Sequence, residues 1–200
     1  MTPRRIVLLR HGRTSWNAEH RIQGQLDTEL DEVGLEQARA VAPVVAAWEP
    51  VLIRSSDLAR ARLTAEQVAK ECGLVPSYDE RLREFRLGEV QGLTHDELEA
   101  RDPDAFARFR SGHWDGIPGA ETSAEVAERF AAAVGELAAE LGPGECGVAV
   151  THGAAARTGL VHFLGWPLAQ AHDLRPLGNC GRVLLEQRPT GEWVLASYNV

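Results

Sequence analysis

Two histidines in the chain each follow an apolar run and precede a glycine. The run over residues 6–9 leads into an Arg-His-Gly sequence that contains His11, and the run over residues 146–150 leads into a Thr-His-Gly sequence that contains His152. Each run is typical of a buried strand. In an open parallel sheet, ligands bind in the crevice beyond the carboxyl ends of the strands. The sequence therefore predicts that both histidines lie at one sheet edge and serve one reaction site.

The segment after the first apolar run carries groups that suit an anion with several oxygens. Arg10 can direct two hydrogen bonds of its guanidinium group to two phosphate oxygens. Gly12 allows a ligand to approach the backbone closely, and the amide of Asn17 can donate a further hydrogen bond. His11 would then be the group that faces the phosphorus atom.

A second junction between a strand and a helix contributes another cation. Residues 55–60 follow an apolar run, and a Ser or Asp in this segment can cap a helix whose first turn carries Arg60. His152 lies at a third junction between a strand and a helix. The three junctions together are expected to place two arginines and two histidines at one crevice. Core packing alone does not explain such a convergence.

The elements that must position these residues alternate between strand and helix, which favours a parallel sheet. The sequence predicts strands at Arg4–Arg10, Val51–Arg54, Leu74–Ser77 and 146–150, and a terminal hairpin from Arg182–Gln187 and Trp193–Ser197. It predicts helices at Leu35–Trp48, Leu58–Glu71, Thr122–Leu141 and Ala154–Leu164, an irregular loop at 81–92 and mostly helical segments at 94–110. The expected fold class is α/β, with three α/β/α layers around a mostly parallel central sheet.

Composition narrows the classes of protein. The 200 residues, 44% of them hydrophobic, fit a single domain over 1–200 with a mostly helical insertion at about 93–121. The net charge of −8 disfavours binding to nucleic acid or to an acidic membrane surface. No apolar stretch has the length of a membrane span, and the first residues lack a signal-peptide core, so a cytoplasmic location is expected. The three cysteines have no CxxC spacing, which argues against a disulfide framework and a zinc knuckle.

An ordered set of motifs along the chain resembles the histidine phosphatase superfamily, also called phosphoglycerate mutase-like. The motifs are Arg10-His11-Gly12 with Thr14 and Asn17, Gln23-Gly24, Leu30 to Ala38, Ser55 to Leu58 with Arg60-Ala61 and Thr64-Ala65, Leu82-Arg83-Glu84 with Gly88 and Gln91-Gly92, Gly119 with Glu121, and Thr151-His152-Gly153. The resemblance covers nearly the whole chain. Within the family, residues 23–30 and 87–95 are similar to glucosyl-3-phosphoglycerate phosphatases, and broad-specificity and ribazole phosphatases share much of both stretches.

The resemblance implies a role for each matched residue. It implies that His11 is the nucleophile and becomes a transient phosphohistidine, and that Glu84 donates the proton to the leaving group. It implies that the phosphoryl oxygens are held by Arg10, Arg60 and His152, with further phosphate contacts from Asn17, Gln23, Gly24, Gly153 and Ala154. It implies no cofactor and no metal, because two arginines and a second histidine supply the positive charge that phosphoryl transfer needs. Family members often form homodimers.

Three functions remain open at this point. They are a phosphomonoesterase acting on a small phosphorylated metabolite, such as a sugar phosphate or a phosphoglycerate-type ester, a phosphoglycerate mutase, and a non-catalytic binder of phosphate ligands. Family mutases have a longer insertion with adjacent arginines, whereas residues 93–120 here contain no Arg-Arg pair. An open site favours water as the acceptor and therefore hydrolysis. Zinc binding is disfavoured because there is no HExxH or short His-x-His pair.

The remaining histidines and one tryptophan have simpler interpretations. His20, His95, His113, His162 and His172 are expected to be ordinary satisfied or exposed side chains. His113, Trp114 and Asp115 could pack over a sugar-like leaving group, although a tryptophan beside glycines more often covers the core. Trp16 is expected to have a packing role.

Overall fold

A computed structural model describes residues 2–200. Its six strands form one sheet in the order β3-β2-β4-β1-β5-β6. The strands are β1 Arg5–Arg10, β2 Pro50–Ser55, β3 Ser77–Tyr78, β4 Cys146–Thr151, β5 Arg182–Gln187 and β6 Trp193–Tyr198. The first four strands of this order are parallel to one another, and the β5-β6 hairpin adds antiparallel to β1. The predicted mostly parallel sheet and terminal hairpin are confirmed.

In the described part of the chain, seven α-helices surround the sheet. They are α1 Ser15–Ala18, α2 Glu32–Ala46, α3 Ala59–Cys72, α4 His95–Arg101, α5 Pro103–Arg110, α6 Ser123–Glu140 and α7 Gly153–Phe163. Short 3-10 turns occur at Glu80–Leu82, Gly88–Val90 and Leu168–His172. The short helix α1 and the last of these turns were not predicted from the sequence.

Alternation along β1 divides the core into two halves. Ile6 and Leu8 face one side of the sheet, where they pack with buried residues of α6 and α7. Val7 and Leu9 face the other side, where they pack with buried residues of α2 and α3. Because successive strand side chains point to opposite faces, a continuous apolar run can serve both helical layers. The predicted three-layer α/β/α fold is confirmed.

Two local predictions are wrong. The strand expected at Leu74–Ser77 is only the two-residue β3, because its register against β2 begins at Ser77. The helix α3 is not capped by a Ser or Asp side chain of its own junction, since Leu58 is its N-cap residue and makes no side-chain cap. Asp27 supplies the missing acceptor from a distant loop, 2.7 Å from the backbone nitrogen of Ala59.

The region between β3 and α6 lies over the α6-α7 side of the sheet. Helices α4 and α5 fall within residues 93–121, and Leu98 and Ile117 belong to the same core cluster as α6 and α7. Within residues 2–200, no helix combines the length and apolar character needed to cross a bilayer.

Candidate active site

The two predicted histidines meet at the carboxyl ends of β1 and β4. Arg10 is paired with Thr151 in the parallel register, so the next residue of each strand reaches the same edge. The ring centroids of His11 and His152 lie 5.1 Å apart. Both side chains are buried, with 3% and 0% of their surface exposed.

The His11 ring is held by a single backbone contact. Its Nδ1 lies 2.7 Å from the carbonyl oxygen of Gly12, and because a carbonyl only accepts, the ring proton lies on Nδ1. This leaves Nε2 with a free electron pair. Burial, followed by the positive charges of Arg60 and Arg10, holds the pKa of His11 well below 6.5. The ring is therefore neutral near pH 7, the state that a nucleophilic imidazole needs.

The His152 ring is oriented by Ser56, a residue for which the sequence predicted only a role at a helix start. The Ser56 Oγ lies 2.9 Å from Nε2 of His152. Within residues 2–200 the Ser56 hydroxyl has no other acceptor, so it donates to Nε2 and the proton of the neutral His152 ring lies on Nδ1. Burial, followed by the charge of Arg60, lowers the pKa of His152 well below 6.5. His152 thus adds a neutral N–H donor beside the nucleophile.

The two predicted arginines are held by backbone carbonyls rather than by carboxylates. Arg60 donates to the carbonyl oxygens of Gly24 at 2.8 Å and Leu26 at 2.9 Å, and Arg10 donates to that of Leu177. Burial lowers the pKa of Arg60 to about 10, so its guanidinium group remains charged at neutral pH. Neither side chain forms an ion pair within residues 2–200. Their charge is therefore available to an incoming anion.

Three buried donors of this site have no hydrogen-bond partner. They are Nε of Arg10, Nε of Arg60 and Nδ1 of His152, which make up three of the five unpartnered buried side-chain nitrogen and oxygen atoms in residues 2–200. Leaving such a group unpaired costs about 1–3 kcal/mol. An anion with several oxygens is the kind of ligand that would satisfy them together.

Glu84 lies at the same site, bound to the start of α7. Its carboxylate accepts from the backbone nitrogens of Ala155 at 2.8 Å and Ala154 at 3.1 Å. These N–H groups have no partner within the helix, and the helix dipole favours negative charge there. The predicted acid Glu84 and the predicted phosphate contact Ala154 therefore bind each other in the free protein.

A network that the sequence analysis missed fixes the backbone beneath Glu84. Arg129 on α6 donates to the carbonyl oxygens of Arg83 at 2.7 Å and Glu84 at 3.0 Å, and pairs with Glu121 at 2.9 Å. Gln25 also donates to the carbonyl oxygen of Glu84, at 3.0 Å. The local sequence gives no signal for contacts between residues so far apart in the chain. The one indication of this network was the match of Glu121 to the family motif.

The catalytic cavity, of about 170 Å³, gathers nearly all the predicted site residues. It is lined by Arg10, His11, Asn17, Gln23, Gly24, Arg60, Glu84 and Ala154. Asn17 uses its Oδ1 to accept from the backbone nitrogen of Thr14 at 3.1 Å, which leaves its Nδ2 able to donate into the cavity. His152 does not line this cavity, although its ring centroid lies 5.1 Å from that of His11. Gly153 does not line it either. A Cβ there would lie 3.3 Å from Nε of Arg10, so Gly153 instead provides room for that side chain.

The close approach expected at Gly12 is made by protein rather than by a ligand. A Cβ at Gly12 would overlap the carbonyl oxygen of Gly34 in α2. The backbone nitrogen of Gly12 donates to Thr64 Oγ1 at 3.1 Å. Gly12 therefore allows α2 to pack against the site loop.

The part of the cavity wall that comes from residues 93–121 differs from the expectation for His95. His95 was expected to be an ordinary histidine, but it lines the catalytic cavity together with Phe109 and Trp114. Burial, followed by the charge of Arg110, lowers the pKa of His95. His95 is the first residue of α4. It reaches the cavity because the 93–121 segment packs over the edge of the sheet, which the local sequence does not indicate.

Of the three residues expected over a leaving group, only Trp114 reaches the catalytic cavity. Asp115 instead accepts from the backbone nitrogen of Ser123 at 2.8 Å and caps the entry to α6. His113 stacks on His172, with ring centroids 4.9 Å apart. Trp114 also packs edge-on against Phe85, so it belongs to both the core and the cavity wall.

Residues 2–200 contain no cluster of three or more His, Cys, Asp or Glu side chains that could hold a metal ion.

Comparison with known proteins gives a consistent result. The sequence model described as "Histidine phosphatase superfamily (branch 1)" matches residues 6–200. The glucosyl-3-phosphoglycerate phosphatase of Mycobacterium tuberculosis (strain CDC 1551 / Oshkosh) is 40% identical over 204 residues, covering 98% of this chain and 90% of that protein. A metal-independent phosphoserine phosphatase of Arabidopsis thaliana is 43% identical over 199 residues, covering 97% and 80%.

A similar solved structure agrees with these relatives. A mycobacterial glucosyl-3-phosphoglycerate phosphatase in complex with VO3 superimposes with a TM-score of 0.91 at 39% identity, covering 98% of this chain and 99% of that one.

Proposed function

The chain belongs to the histidine phosphatase superfamily and is a phosphoric monoester hydrolase of small phosphorylated metabolites, and from that premise we propose a route through a phosphohistidine on His11. The observation that carries this proposal is the set of three unpartnered buried donors around a neutral imidazole. A non-catalytic phosphate binder, considered from the sequence, is set aside in favour of an enzyme.

The first step is an in-line attack by Nε2 of His11 on phosphorus. The N–P bond forms as the bond from phosphorus to the ester oxygen breaks, and the free Nε2 electron pair supplies the new bond. Arg10, Arg60 and the Nδ1–H of His152 donate to the phosphoryl oxygens, whose charge grows in the transition state. The two guanidinium groups provide the positive charge without any movement of the backbone that holds them.

Glu84 is the proposed proton donor to the departing oxygen. In its acid form the Glu84 carboxyl group gives its proton to the ester oxygen as the bond from that oxygen to phosphorus breaks. Protonation is essential for an alkoxide, which is a poor leaving group. In the second step Glu84 accepts a proton from water as the water oxygen attacks the phosphohistidine, which returns Nε2 of His11 to its neutral state and releases inorganic phosphate.

For the substrate we propose a phosphorylated small hydroxy acid of the phosphoglycerate type. Two relatives are named for glucosyl-3-phosphoglycerate and for phosphoserine, and both names describe a phosphate ester on a three-carbon unit that also carries a carboxylate. A sugar phosphate is the other class expected from the sequence. The phosphoglycerate mutase reaction is the alternative to hydrolysis, and it uses the same phosphohistidine with a different acceptor.

For location and partners we propose a cytoplasmic enzyme that binds neither nucleic acid nor membrane surfaces. Cys72, Cys146 and Cys180 are free thiols, which is typical of a reducing compartment. The net charge of −8 disfavours contact with polyanions. A homodimer stays a prediction from the family resemblance, and light scattering after size exclusion tests it.

The decisive experiment is rapid quenching of the enzyme with a ³²P-labelled phosphate ester. We expect an acid-labile, base-stable label on the intact protein and none on His11→Asn, whose turnover is abolished while its circular dichroism spectrum is retained. His162→Asn, an exposed histidine elsewhere on α7, is the matched control and keeps both label and turnover. A wild-type enzyme that turns over without ever carrying a label would contradict the route.

The same preparation separates hydrolysis from mutase activity. Incubation with 3-phosphoglycerate, followed by separate assays of inorganic phosphate and 2-phosphoglycerate, is expected to yield phosphate as the main product. A larger yield of 2-phosphoglycerate would establish the mutase alternative.

A further inference from the structure

A second cavity lies beside the catalytic cavity and shares two walls with it. This side cavity has a volume of about 350 Å³, and Phe109 and Trp114 line both cavities. It lies between the end of α5, the first turns of α7 and residues 172–176. A ligand group passing the Trp114 ring can therefore extend from the phosphate site into the side cavity.

The side cavity is rich in positive charge. Arg110, Arg157 and Arg175 line it, and Asp173 is the one acidic residue among the lining residues. None of these three arginines forms an ion pair within residues 2–200. The protein as a whole carries a net charge of −8, so this is a local concentration of cations in an acidic molecule.

Arg157 carries the decisive observation. Its Nε is the fourth of the five buried, unpartnered side-chain atoms, and three of the others belong to the phosphate site. Its Nη1 donates to the carbonyl oxygen of Leu174 at 3.2 Å. The edge formed by Nε and Nη2 is therefore left unused, and that edge is the one that receives a carboxylate through two parallel hydrogen bonds.

The position of Arg157 relates it to the phosphate site. It follows Ala154 by three residues on α7, so the two lie on the same face of the helix one turn apart. Its charge is also close enough to Arg10 to contribute to lowering the pKa of Arg10, after the larger effect of burial. Both observations place Arg157 next to the phosphoryl group rather than on a separate surface.

Resting on the proposed function, we infer that the side cavity binds a carboxylate of the leaving group, with Arg157 as its main contact and Arg110 and Arg175 as supporting charges. The free guanidinium edge of Arg157 presents two parallel donors, which match the two oxygens of a planar carboxylate. The enzyme therefore selects phosphate esters of small carboxylic acids over neutral esters of the same size.

The test compares matched substrates in the full-length enzyme. We measure kcat/KM for 3-phosphoglycerate against glycerol 3-phosphate, and for O-phosphoserine against O-phosphoethanolamine. In each pair only the first member carries the carboxylate. The wild type is expected to prefer the carboxylate-bearing ester, and Arg157→Met is expected to reduce that preference by about 10- to 100-fold, the usual effect of losing a charged hydrogen bond.

Control variants make the result specific. Arg108 lies on α5, as Arg110 does, but it is exposed and does not line the side cavity. The Arg108→Gln enzyme is therefore expected to keep the preference of the wild type. Arg157→Lys keeps the charge but loses the two-donor edge, so it should recover only part of the preference. If Arg157→Met does not fold, Arg110→Gln and Arg175→Gln, both at exposed positions, carry the test with smaller reductions.

The outcomes separate this inference from the proposed route. A wild type without preference in either pair, or an Arg157→Met enzyme that loses both members of a pair equally, overturns the side cavity as a carboxylate site. Neither result affects the ³²P label on His11. Conversely, a missing label with the preference intact would overturn the phosphohistidine route and leave the carboxylate site standing.

Discussion

At the scale of single residues, the site depends on donors that stay unsatisfied until substrate arrives. Arg10, Arg60 and His152 each leave one buried nitrogen without a partner, while their other atoms are fixed by carbonyls or by Ser56. Preorganised donors of this kind stabilise charge that develops in a transition state without reorganising during the reaction. Because buried donors without partners cost free energy, this arrangement lowers the stability of the free protein.

The role of Glu84 is tested through the basicity of the leaving group. Glu84→Gln should reduce kcat for an alkyl ester such as glycerol 3-phosphate by about 10²- to 10⁴-fold, the usual contribution of a general acid. The loss should be much smaller for p-nitrophenyl phosphate, because nitrophenolate departs without a proton. Steady-state kinetics on both substrates measures this difference, and an equal loss on both would remove Glu84 from the acid role.

The network beneath Glu84 leads to a prediction about positioning. Arg129→Met removes hydrogen bonds to the carbonyl oxygens of Arg83 and Glu84 and the ion pair with Glu121. Because Arg129 does not line the catalytic cavity, we expect kcat for glycerol 3-phosphate to fall about tenfold or more, since small misplacements of a catalytic group are costly. Turnover of p-nitrophenyl phosphate should change less. A purely structural role would instead lower both rates together with the melting temperature.

At the scale of elements, the contact between α6 and α7 sets the position of the helix whose backbone N–H groups donate to Glu84. Gly159 on α7 has no space for a side chain, because a Cβ there would overlap the ring of Phe130 on α6. Gly159→Ala should therefore destabilise the fold by about 1–3 kcal/mol through overpacking. Gly135→Ala on α6 is the matched control, since a Cβ there meets nothing within 4 Å.

The two glycine variants should differ in sign. Gly135→Ala is expected to stabilise the protein by about 0.5–1 kcal/mol, the gain of replacing a glycine inside a helix. Urea unfolding measures both changes. Two variants with the same effect would contradict a close α6-α7 contact at Gly159.

Regular elements were largely predictable because their signal is local. The buried runs of β1 and β4 and the apolar spacing of α6 lie in the sequence itself, and so does the placement of His11 and His152 at strand ends. Ser56, His95 and Arg129 were not predicted as site residues, because each acquires its contact from a partner far away in the chain. The two-residue β3 was misplaced because strand register depends on the neighbouring strand.

At the scale of the whole molecule, strand order explains why three junctions meet. The order places β4 between β1 and β2, so the chain leaves three adjacent parallel strands at the same edge. Arg10 and His11, then Arg60, then His152 come from these three exits. The four side chains come together because the carboxyl ends of these three strands are neighbours in the sheet, not because the residues are close in sequence.

Burial of two neutral histidines predicts how the stability of the molecule depends on pH. An unfolded histidine has a pKa near 6.5, and folding lowers the pKa of His11 and His152 well below that value. The unfolded state therefore binds more protons as the pH falls below 6.5, and stability decreases there while it is unaffected well above 6.5. Each histidine should contribute a loss of about 1 kcal/mol between pH 6.5 and 5.5.

Urea unfolding in phosphate-free buffer at pH 7.5 and 5.5 measures this dependence. His11→Asn and His152→Asn should each lose about 1 kcal/mol less than the wild type between the two pH values. Variants whose stability falls as steeply as that of the wild type would show that neither ring resists protonation in the folded state.

The attachment of Glu84 to the first turn of α7 has a consequence for the end of each catalytic cycle. The N–H group of Ala154 that the carboxylate occupies in the free protein is one that the product orthophosphate would also use. Once Glu84 has lost its proton, the carboxylate competes with the product for that anchor. Product release is thereby coupled to the return of Glu84 to the carboxylate form that binds α7 in the free protein, and we expect this hydrolase to be inhibited only weakly by its own product.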